Sequence, residues 1–138
     1  MLGNADLIAF VPTCDLQKSR RFYEQTLGLE FVSEEPFALV FSAHGVILRI
    51  ANVSTVEDFR PAPFTILGWR VSSAESTVRA LHEKGIEFER FPGMQQNSLG
   101  IWHSPGGAQV AWFKDPDGNI LSITESVNSD SAVAGQGF

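Results

Sequence analysis

The chain has 138 residues, 43% of them hydrophobic, and a formal net charge of −6 at pH 7. This size and composition fit one compact globular domain, or two small half-domains that share a core. Nucleic acid is excluded as an expected partner, because its phosphates require a basic surface and no Lys/Arg cluster is present. A lone Cys14, the lack of a membrane-length apolar run and the lack of a signal-peptide pattern predict a cytoplasmic protein without internal disulfides or membrane contact.

The first half predicts the element order β-α-β-β-β over about residues 5–52. An apolar run at 7–11 predicts the first strand, and Asp15 is placed to cap a helix over residues 16–26 that ends at Gly28. Three strands are then predicted, the last two of them joined by the tight turn Ala43-His44-Gly45. They cover residues 30–33, 37–42 and 46–51.

The second half predicts the same order over about residues 64–125, after a Pro-containing linker at 53–63. The sequence Ser72-Ser73-Ala74-Glu75 has capping-box spacing and predicts the start of a helix that runs to Glu83 and stops before Gly85. Strands are predicted on both sides of this helix, with Asp115-Pro116-Asp117-Gly118 as the last hairpin turn. The predicted strands cover residues 64–71, 87–91, 109–114 and 120–125.

Direct sequence similarity also indicates an internal duplication. Leu27-Gly28-Leu29-Glu30-Phe31 recurs as Lys84-Gly85-Ile86-Glu87-Phe88, each time between a predicted helix and a predicted strand. Such a repeat predicts the architecture before any residue is given a role. The copies differ most at residues 92–108, an insertion that the first half lacks. Residues 126–138 are rich in Ser, Ala and Gly and are expected to form a flexible tail.

Several of these features together resemble the vicinal oxygen chelate superfamily, which includes glyoxalase I, extradiol dioxygenases and the bleomycin and fosfomycin resistance proteins. They are the tandem β-α-β-β-β units, Asp15-Leu16-Gln17-Lys18-Ser19 leading into Phe22-Tyr23, Leu27-Gly28-Leu29, and Asp115-Pro116-Asp117-Gly118-Asn119. The resemblance implies one glyoxalase/bleomycin-resistance-like domain of the α+β class over residues 1–125. Its two modules would form a curved, cavity-enclosing mixed sheet with helices outside, in a homodimer. It does not imply one activity, because a single fold hosts many functions.

In metal-dependent members of this superfamily, four side chains, typically His, Gln or Glu, hold one divalent cation. The resemblance places these positions at Ile8, Arg49, Ile66 and Ser122, with Thr65 replacing Ile66 if the register slips by one residue. Two hydrocarbons, a guanidinium and a hydroxyl do not suit a cation, so we expect no metal and no cofactor. Glyoxalase I-like enzymes tend to carry an Arg where this chain has Pro12, which also argues against lactoylglutathione lyase activity.

Strand alternation predicts which side chains line the cavity. Arg49, Ser122, Val110 and Trp112 fall on strand faces opposite the aliphatic faces that would pack against helices. The predicted ligand site therefore consists of Ile8, Phe10, Arg49, Ile66, Trp102, Val110, Trp112 and Ser122. Trp102 and Trp112 could form a platform for a flat or cationic organic group, or Trp112 could fill a collapsed pocket.

Three side chains each allow two interpretations. Arg49 either anchors an anionic or carbonyl group of a ligand or has a structural role, as an internal ion pair with Glu125 or Glu35 or as a partly exposed side chain. His103 is either a general base that overhangs the cavity or an exposed hairpin histidine. Cys14 lies near a helix N-terminus, but no base is adjacent to it, so a buried structural thiol is favoured over a reactive one.

The favoured function is metal-free binding of a small organic molecule in the sheet cavity, similar to that of drug-sequestering resistance proteins. The alternative is a lyase, isomerase or dioxygenase of the same superfamily, with a metal elsewhere or with His103 and Arg49 as a metal-free catalytic pair. A third possibility is that the homodimer is the functional entity and the cavity is vestigial.

Overall fold

The computed structural model describes residues 1–127 and divides the chain into two compact units, Met1–Pro61 and Ala62–Phe138. Each unit contains one open, four-stranded mixed sheet and few helices, so the predicted α+β fold class is confirmed. Within residues 1–127, no helix is both long enough and apolar enough to cross a membrane. The predicted tail lies outside the described residues from position 128 onward.

The sheet of the first unit has the strand order β1-β4-β3-β2, in which β1 is parallel to β4 and the other pairs are antiparallel. A short 3-10 turn, Leu2–Asn4, precedes it. The elements are β1 (Ile8–Thr13), α1 (Leu16–Arg21), β2 (Glu30–Glu35), β3 (Ala38–Ala43) and β4 (Val46–Asn52). The predicted helix over 16–26 changes after Arg21 into a π-helical turn, Phe22–Thr26, in which the Leu27 amide donates to the Phe22 carbonyl at 2.9 Å.

Local signals account for the helix and the turns of this unit. The Asp15 carboxylate accepts the Lys18 amide at 3.1 Å and caps α1, as predicted. Gly28 follows the helical segment with a φ of 76°, the left-handed conformation that glycine adopts without strain. His44 and Gly45, with φ values of 50° and 88°, form the two-residue turn between β3 and β4. These three predictions are confirmed.

The second sheet has the order β5-β8-β7-β6, with β5 parallel to β8 and the other pairs antiparallel. Its elements are β5 (Thr65–Arg70), α2 (Ala74–Glu83), β6 (Trp102–His103), β7 (Gln109–Lys114) and β8 (Ile120–Glu125). The same connectivity as in the first unit confirms the duplicated architecture.

The start of α2 differs in detail from the predicted capping box. The N-cap is Ser73, one residue later than the box spacing requires, and its hydroxyl accepts the Ser76 amide at 3.1 Å. In a capping box, a Glu in the first turn of the helix would accept a second backbone amide. Here the carboxylate of a distant residue, Glu125 on β8, instead accepts the Ala74 amide at 2.8 Å. Glu125 therefore joins the helix start to the end of the last strand.

The predicted strand at 87–91 is wrong, because within residues 1–127 this extended segment does not form a sheet ladder. It contacts β7 through the Glu89 amide, which donates to the Trp112 carbonyl at 2.8 Å, and through an ion pair of Glu89 with Lys114 at 3.7 Å. The side chain of Gln96 replaces a neighbouring strand: its carbonyl accepts the Phe91 amide, and its amide group donates to the Glu89 carbonyl. The fourth strand of this sheet is instead β6, which lies inside the insertion.

Each sheet packs one face against its own helix. In the first unit the core on this face contains Leu48 and Ile50, and Tyr23 packs against Phe41 at a ring distance of 6.2 Å. In the second unit Val78 of α2 is buried, as are Ala111 and Phe113 of β7. We call the opposite face of each sheet its distal face. Arg49, Trp112 and Ser122 belong to these distal faces, as strand alternation predicts.

Cys14 is exposed, so its predicted burial is wrong. The reason is the alternation of β1. Thr13 points inward, where its hydroxyl accepts a hydrogen bond from Ser19 at 2.7 Å and both residues are fully buried. The next residue, Cys14, therefore points outward at the junction before the Asp15 cap.

Candidate functional site

The distal face of the first sheet combines exposed apolar side chains with one arginine. Phe10 on β1 lies directly opposite Arg49 on β4, and Ile8 lies opposite Ile47. Phe10 is 62% exposed and Ile8 is 48% exposed. Three predicted site residues, Ile8, Phe10 and Arg49, thus lie on adjacent strands of one face.

Arg49 forms an ion pair with Glu35 on β2. Its Nη2 atom donates to Glu35 Oε1 at 2.8 Å, and the two side chains are 32% and 44% exposed. Of the two partners that the sequence allowed, the structure selects Glu35, because Glu125 caps α2 in the other unit. The guanidinium has five N–H donors, so this pair leaves donors for a second acceptor.

The ion pair shifts the titration of both groups. The hydrogen bond from Arg49 is the main effect that holds the pKa of the Glu35 carboxyl below its ordinary value; burial acts in the opposite direction, and the Arg49 charge lowers this pKa further. The hydrogen bond to Glu35 likewise raises the pKa of Arg49. At neutral pH the distal face of the first sheet therefore presents a paired cation and anion beside hydrocarbon.

On the second sheet, Ser122 occupies the centre of the distal face. It lies between Gly68 on β5 and Trp112 on β7 in one row across the strands. Gly68 packs closely against Ser122: a Cβ atom at position 68 would lie 2.6 Å from the Ser122 hydroxyl, so a larger residue there would require the Ser122 side chain to move. Ser122 is 9% exposed.

Trp112 is fully buried within an aromatic cluster. The Phe91 ring meets it edge-on, with centroids 5.4 Å apart and planes at 88°, and the Trp102 ring lies 6.1 Å away at 38°. Met94 also packs against the group formed by Val110, Trp112 and Ile120. The structure thus brings Trp102, Val110 and Trp112 together, and the chain's own side chains fill the space beside them.

The third predicted position coincides with an irregularity of β5. Thr65 lies opposite Ile120 and Leu67 lies opposite Leu121, so Ile66 is an extra residue in the ladder. The Thr65 hydroxyl is buried and has no hydrogen-bond partner among residues 1–127. Both residues that the sequence offered for this position therefore lie at the bulge.

His103 lies at the exposed end of the short strand β6, opposite Gln109. Its neighbour Trp102 points into the aromatic cluster, so His103 takes the other side of the strand. This placement matches the interpretation of His103 as an exposed hairpin histidine.

The side chains at the four expected metal positions do not fit a divalent cation. Ile8 and Ile66 supply no donor atom, Arg49 supplies a fixed positive charge, and Ser122 supplies one neutral hydroxyl. Among residues 1–127, no group of three or more His, Cys, Asp or Glu side chains is close enough to hold a metal ion.

Sequence reasoning missed a groove of about 380 Å³ on the outside of the second unit. It lies between α2 and the segment 87–99, and its lining includes Val78, Phe88 and Leu99 together with Arg79, Glu83 and Arg90. The helix pattern marks Arg79 and Glu83 only as solvent-facing, and the segment opposite them had been predicted as a strand. The groove was therefore not visible in the sequence pattern.

Comparison with known proteins identifies the family. The model of the Glyoxalase/Bleomycin resistance protein/Dioxygenase superfamily matches residues 6–123. The chain belongs to this superfamily. It is 27% identical over 121 residues to the uncharacterized protein YraH of Bacillus subtilis (strain 168), a match that covers 79% of this chain and 88% of that protein.

Solved structures with the same fold include a member of this superfamily and an antibiotic binding protein. A member from Sphaerobacter thermophilus DSM 20745 is 25% identical, with a TM-score of 0.69, and the match covers 91% of this chain and 100% of that one. TnmS3, an antibiotic binding protein from Streptomyces sp. CB03234, is 19% identical with a TM-score of 0.65, covering 91% of this chain and 98% of that one. At the latter identity the likeness shows the fold alone.

Proposed function

We propose that this superfamily member binds a small organic molecule on the distal faces of its sheets without using a metal ion. The observation that carries the proposal is the chemistry at the four expected ligand positions. These positions hold the hydrocarbon side chains of Ile8 and Ile66, the guanidinium of Arg49, which is paired with Glu35, and the hydroxyl of Ser122. These groups bind organic molecules by apolar contact and hydrogen bonding, whereas none is a good ligand for a cation.

The surroundings favour a flat guest that is neutral or cationic. Trp102, which is only partly buried, offers an aromatic ring at the edge of the cluster around Trp112, and such rings bind planar and cationic groups well. The net charge of −6 disfavours anions at long range. A solved protein of the same fold, TnmS3, is described as an antibiotic binding protein, which supports sequestration as the kind of role.

The proposal includes a cytoplasmic homodimer. The exposed apolar side chains Ile8 and Phe10 lie on β1, which is an edge strand of its sheet. Exposed apolar surface of this kind favours coverage by a ligand or by a second protein surface. Sedimentation equilibrium at micromolar concentration measures the oligomeric state directly, and a monomer at all concentrations would contradict this part.

The central test uses tag-free protein that has been dialysed against EDTA. A panel of planar and cationic antibiotics, together with a general library of small molecules, is screened by thermal shift and confirmed by calorimetry. A ligand present at 100 times its Kd stabilises the folded state by about 2.7 kcal/mol, which raises Tm by several degrees. The binding function predicts such a rise without added metal.

Two outcomes contradict the proposal. Stoichiometric Zn, Ni, Mn or Fe in protein purified without added metal would overturn the metal-free mode, and a complete absence of ligands in the screen would overturn binding. For a neutral compound that accepts a hydrogen bond from Arg49, Arg49→Met should weaken affinity by about tenfold to a hundredfold, the range for a hydrogen bond to a charged group. Arg60→Met, at an exposed arginine outside the sheets, should leave the affinity unchanged.

A further inference from the structure

Residues 92–101 cover the distal face of the second sheet. Met94 of this segment packs against Val110, Trp112 and Ile120, and the aromatic residues that flank the segment, Phe91 and Trp102, pack against the same group. Trp112 is 0% exposed as a result of these contacts. A ligand that used Trp112 as a platform would have to take the place of Met94.

Side-chain hydrogen bonds and an isolated β-bridge between Gln96 and Trp102 hold this segment in place. The amide group of Gln96 donates to the carbonyls of Glu89 and Gly100 at 2.8 Å each, and its carbonyl accepts the Phe91 amide at 2.9 Å. One neutral side chain thus ties both ends of the segment together. Each of these bonds can be exchanged for a bond to water when the segment moves outward.

Arg90 makes a second attachment. Its guanidinium donates to the carbonyls of Asn97 and Ser98, at 2.7 Å each, and these bonds are exposed to solvent. The Asn97 side chain accepts the amides of Leu99 and Ile101, which fixes the turn internally. The segment is therefore ordered as one piece, while its attachment to the rest of the unit is made by few bonds.

Glycines in the left-handed conformation lie at both ends of the segment. Gly93 has a φ of 81° and Gly100 has a φ of 88°. A Cβ atom at Gly100 would lie 3.1 Å from the Cβ of Phe88, so a larger residue would push the segment away from its seat. Glycine at these two points allows the large backbone rotations that a hinge requires.

We propose that residues 92–101 are a self-occluding closure in which Met94 occupies the ligand position over Trp112, held by Gln96 and Arg90. Ligand binding on the second sheet then requires the segment to open at Gly93 and Gly100. This inference rests on the proposed function for its purpose, but the opening is a property of the free protein. The apparent affinity for any ligand of Trp112 is reduced by the fraction of molecules that are closed.

Amide hydrogen exchange of the free protein tests the opening. In the wild-type chain, the Phe91 amide, which donates to Gln96 Oε1, should exchange at least about tenfold faster than the amides of β7, because the segment opens without global unfolding. Arg90→Met, which removes the bonds to the Asn97 and Ser98 carbonyls, should accelerate this exchange by a further factor of about ten and leave β7 unchanged. Arg60→Met, at an exposed arginine outside the sheets, is the matched control. Exchange of the Phe91 amide only at the rate of β7 in the wild-type chain would overturn the closure.

A dye measures access to Trp112 directly. Anilinonaphthalene sulfonate, which binds exposed apolar surface, should bind Met94→Ala about tenfold more tightly than the wild-type chain, whereas Leu2→Ala at an exposed apolar residue should have no effect. Equal binding by all three proteins would refute occupation of the site by Met94. If the segment exchanges fast but the screen finds no ligand, the proposed function is refuted and the closure stands. If the screen finds a ligand but the segment exchanges only as slowly as β7, the closure is refuted and the proposed function stands.

Discussion

Truncation of Trp112 measures how much the filled distal face contributes to the stability of the second unit. Trp112 heads the set of large side chains that are completely buried, and two aromatic rings pack against it. Trp112→Ala should therefore lower the free energy of unfolding by about 3–5 kcal/mol, the usual cost of such a cavity. This is a large part of the roughly 5–15 kcal/mol that stabilises a typical domain.

Guanidinium unfolding followed by far-UV circular dichroism provides the measurement, since tryptophan fluorescence changes with the substitution itself. Phe64→Ala, which truncates a ring that is 53% exposed, is the control and should change stability by less than about 0.5 kcal/mol. Phe91→Ala combined with Trp112→Ala should show a coupling energy of about 0.5–1.5 kcal/mol, as expected for an edge-on aromatic pair.

A loss of less than about 1 kcal/mol for Trp112→Ala would refute this reasoning, because it would mean that the ring faces solvent or a large water-filled space. A normal loss with no coupling to Phe91 would show that Trp112 is buried by other groups. The two results separate a filled face from an open one without any knowledge of the ligand.

Two further predictions concern the ion pair and the last hairpin. Arg49→Met should raise the pKa of Glu35 toward its ordinary value of 4.5 in a carbon-detected NMR titration, whereas Lys18→Met should not. Because folding lowers this pKa, the pair stabilises the wild-type fold above about pH 4.5 and loses its effect as the pH falls; an unchanged pKa in Arg49→Met would contradict the pairing. Asp115→Ala should cost about 2–4 kcal/mol in urea unfolding, since the buried carboxylate accepts the Asp117 amide and two N–H groups of Asn119. Asp115→Asn should cost less, and a loss below about 1 kcal/mol for the alanine variant would show that the turn does not depend on these bonds.

The sequence was sufficient wherever structure is decided by neighbours along the chain. The cap at Asp15, the left-handed residue Gly28 and the tight turn that ends at Gly45 were all predicted. Strand alternation also placed Arg49 and Trp112 on the correct faces, since a period of two needs no knowledge of the partner strands. These signals are local, and they specify the fold.

The sequence was insufficient wherever a distant side chain decides. The segment 87–91 has a strand-like pattern, but no strand within residues 1–127 pairs with it, and the Gln96 side chain bonds to the Phe91 amide and the Glu89 carbonyl instead. The partner of Arg49, Glu35 rather than Glu125, could be chosen only once the register of β2 was known. The occupation of the space beside Trp112 could be seen only once the course of the insertion was known. Packing of this kind cannot be deduced from one sequence.

The parallel pairing of the first and last strands has a consequence for synthesis. In each unit the antiparallel hairpin of the last two long strands is local, whereas β1 pairs with β4 and β5 pairs with β8 only after the intervening chain exists. Local hairpins form quickly, and closure of a long loop is slow. On the ribosome, β1 must therefore wait until β4 has emerged, with Val11, which is fully buried in the folded unit, still in water. The growing chain is most prone to aggregation during this interval.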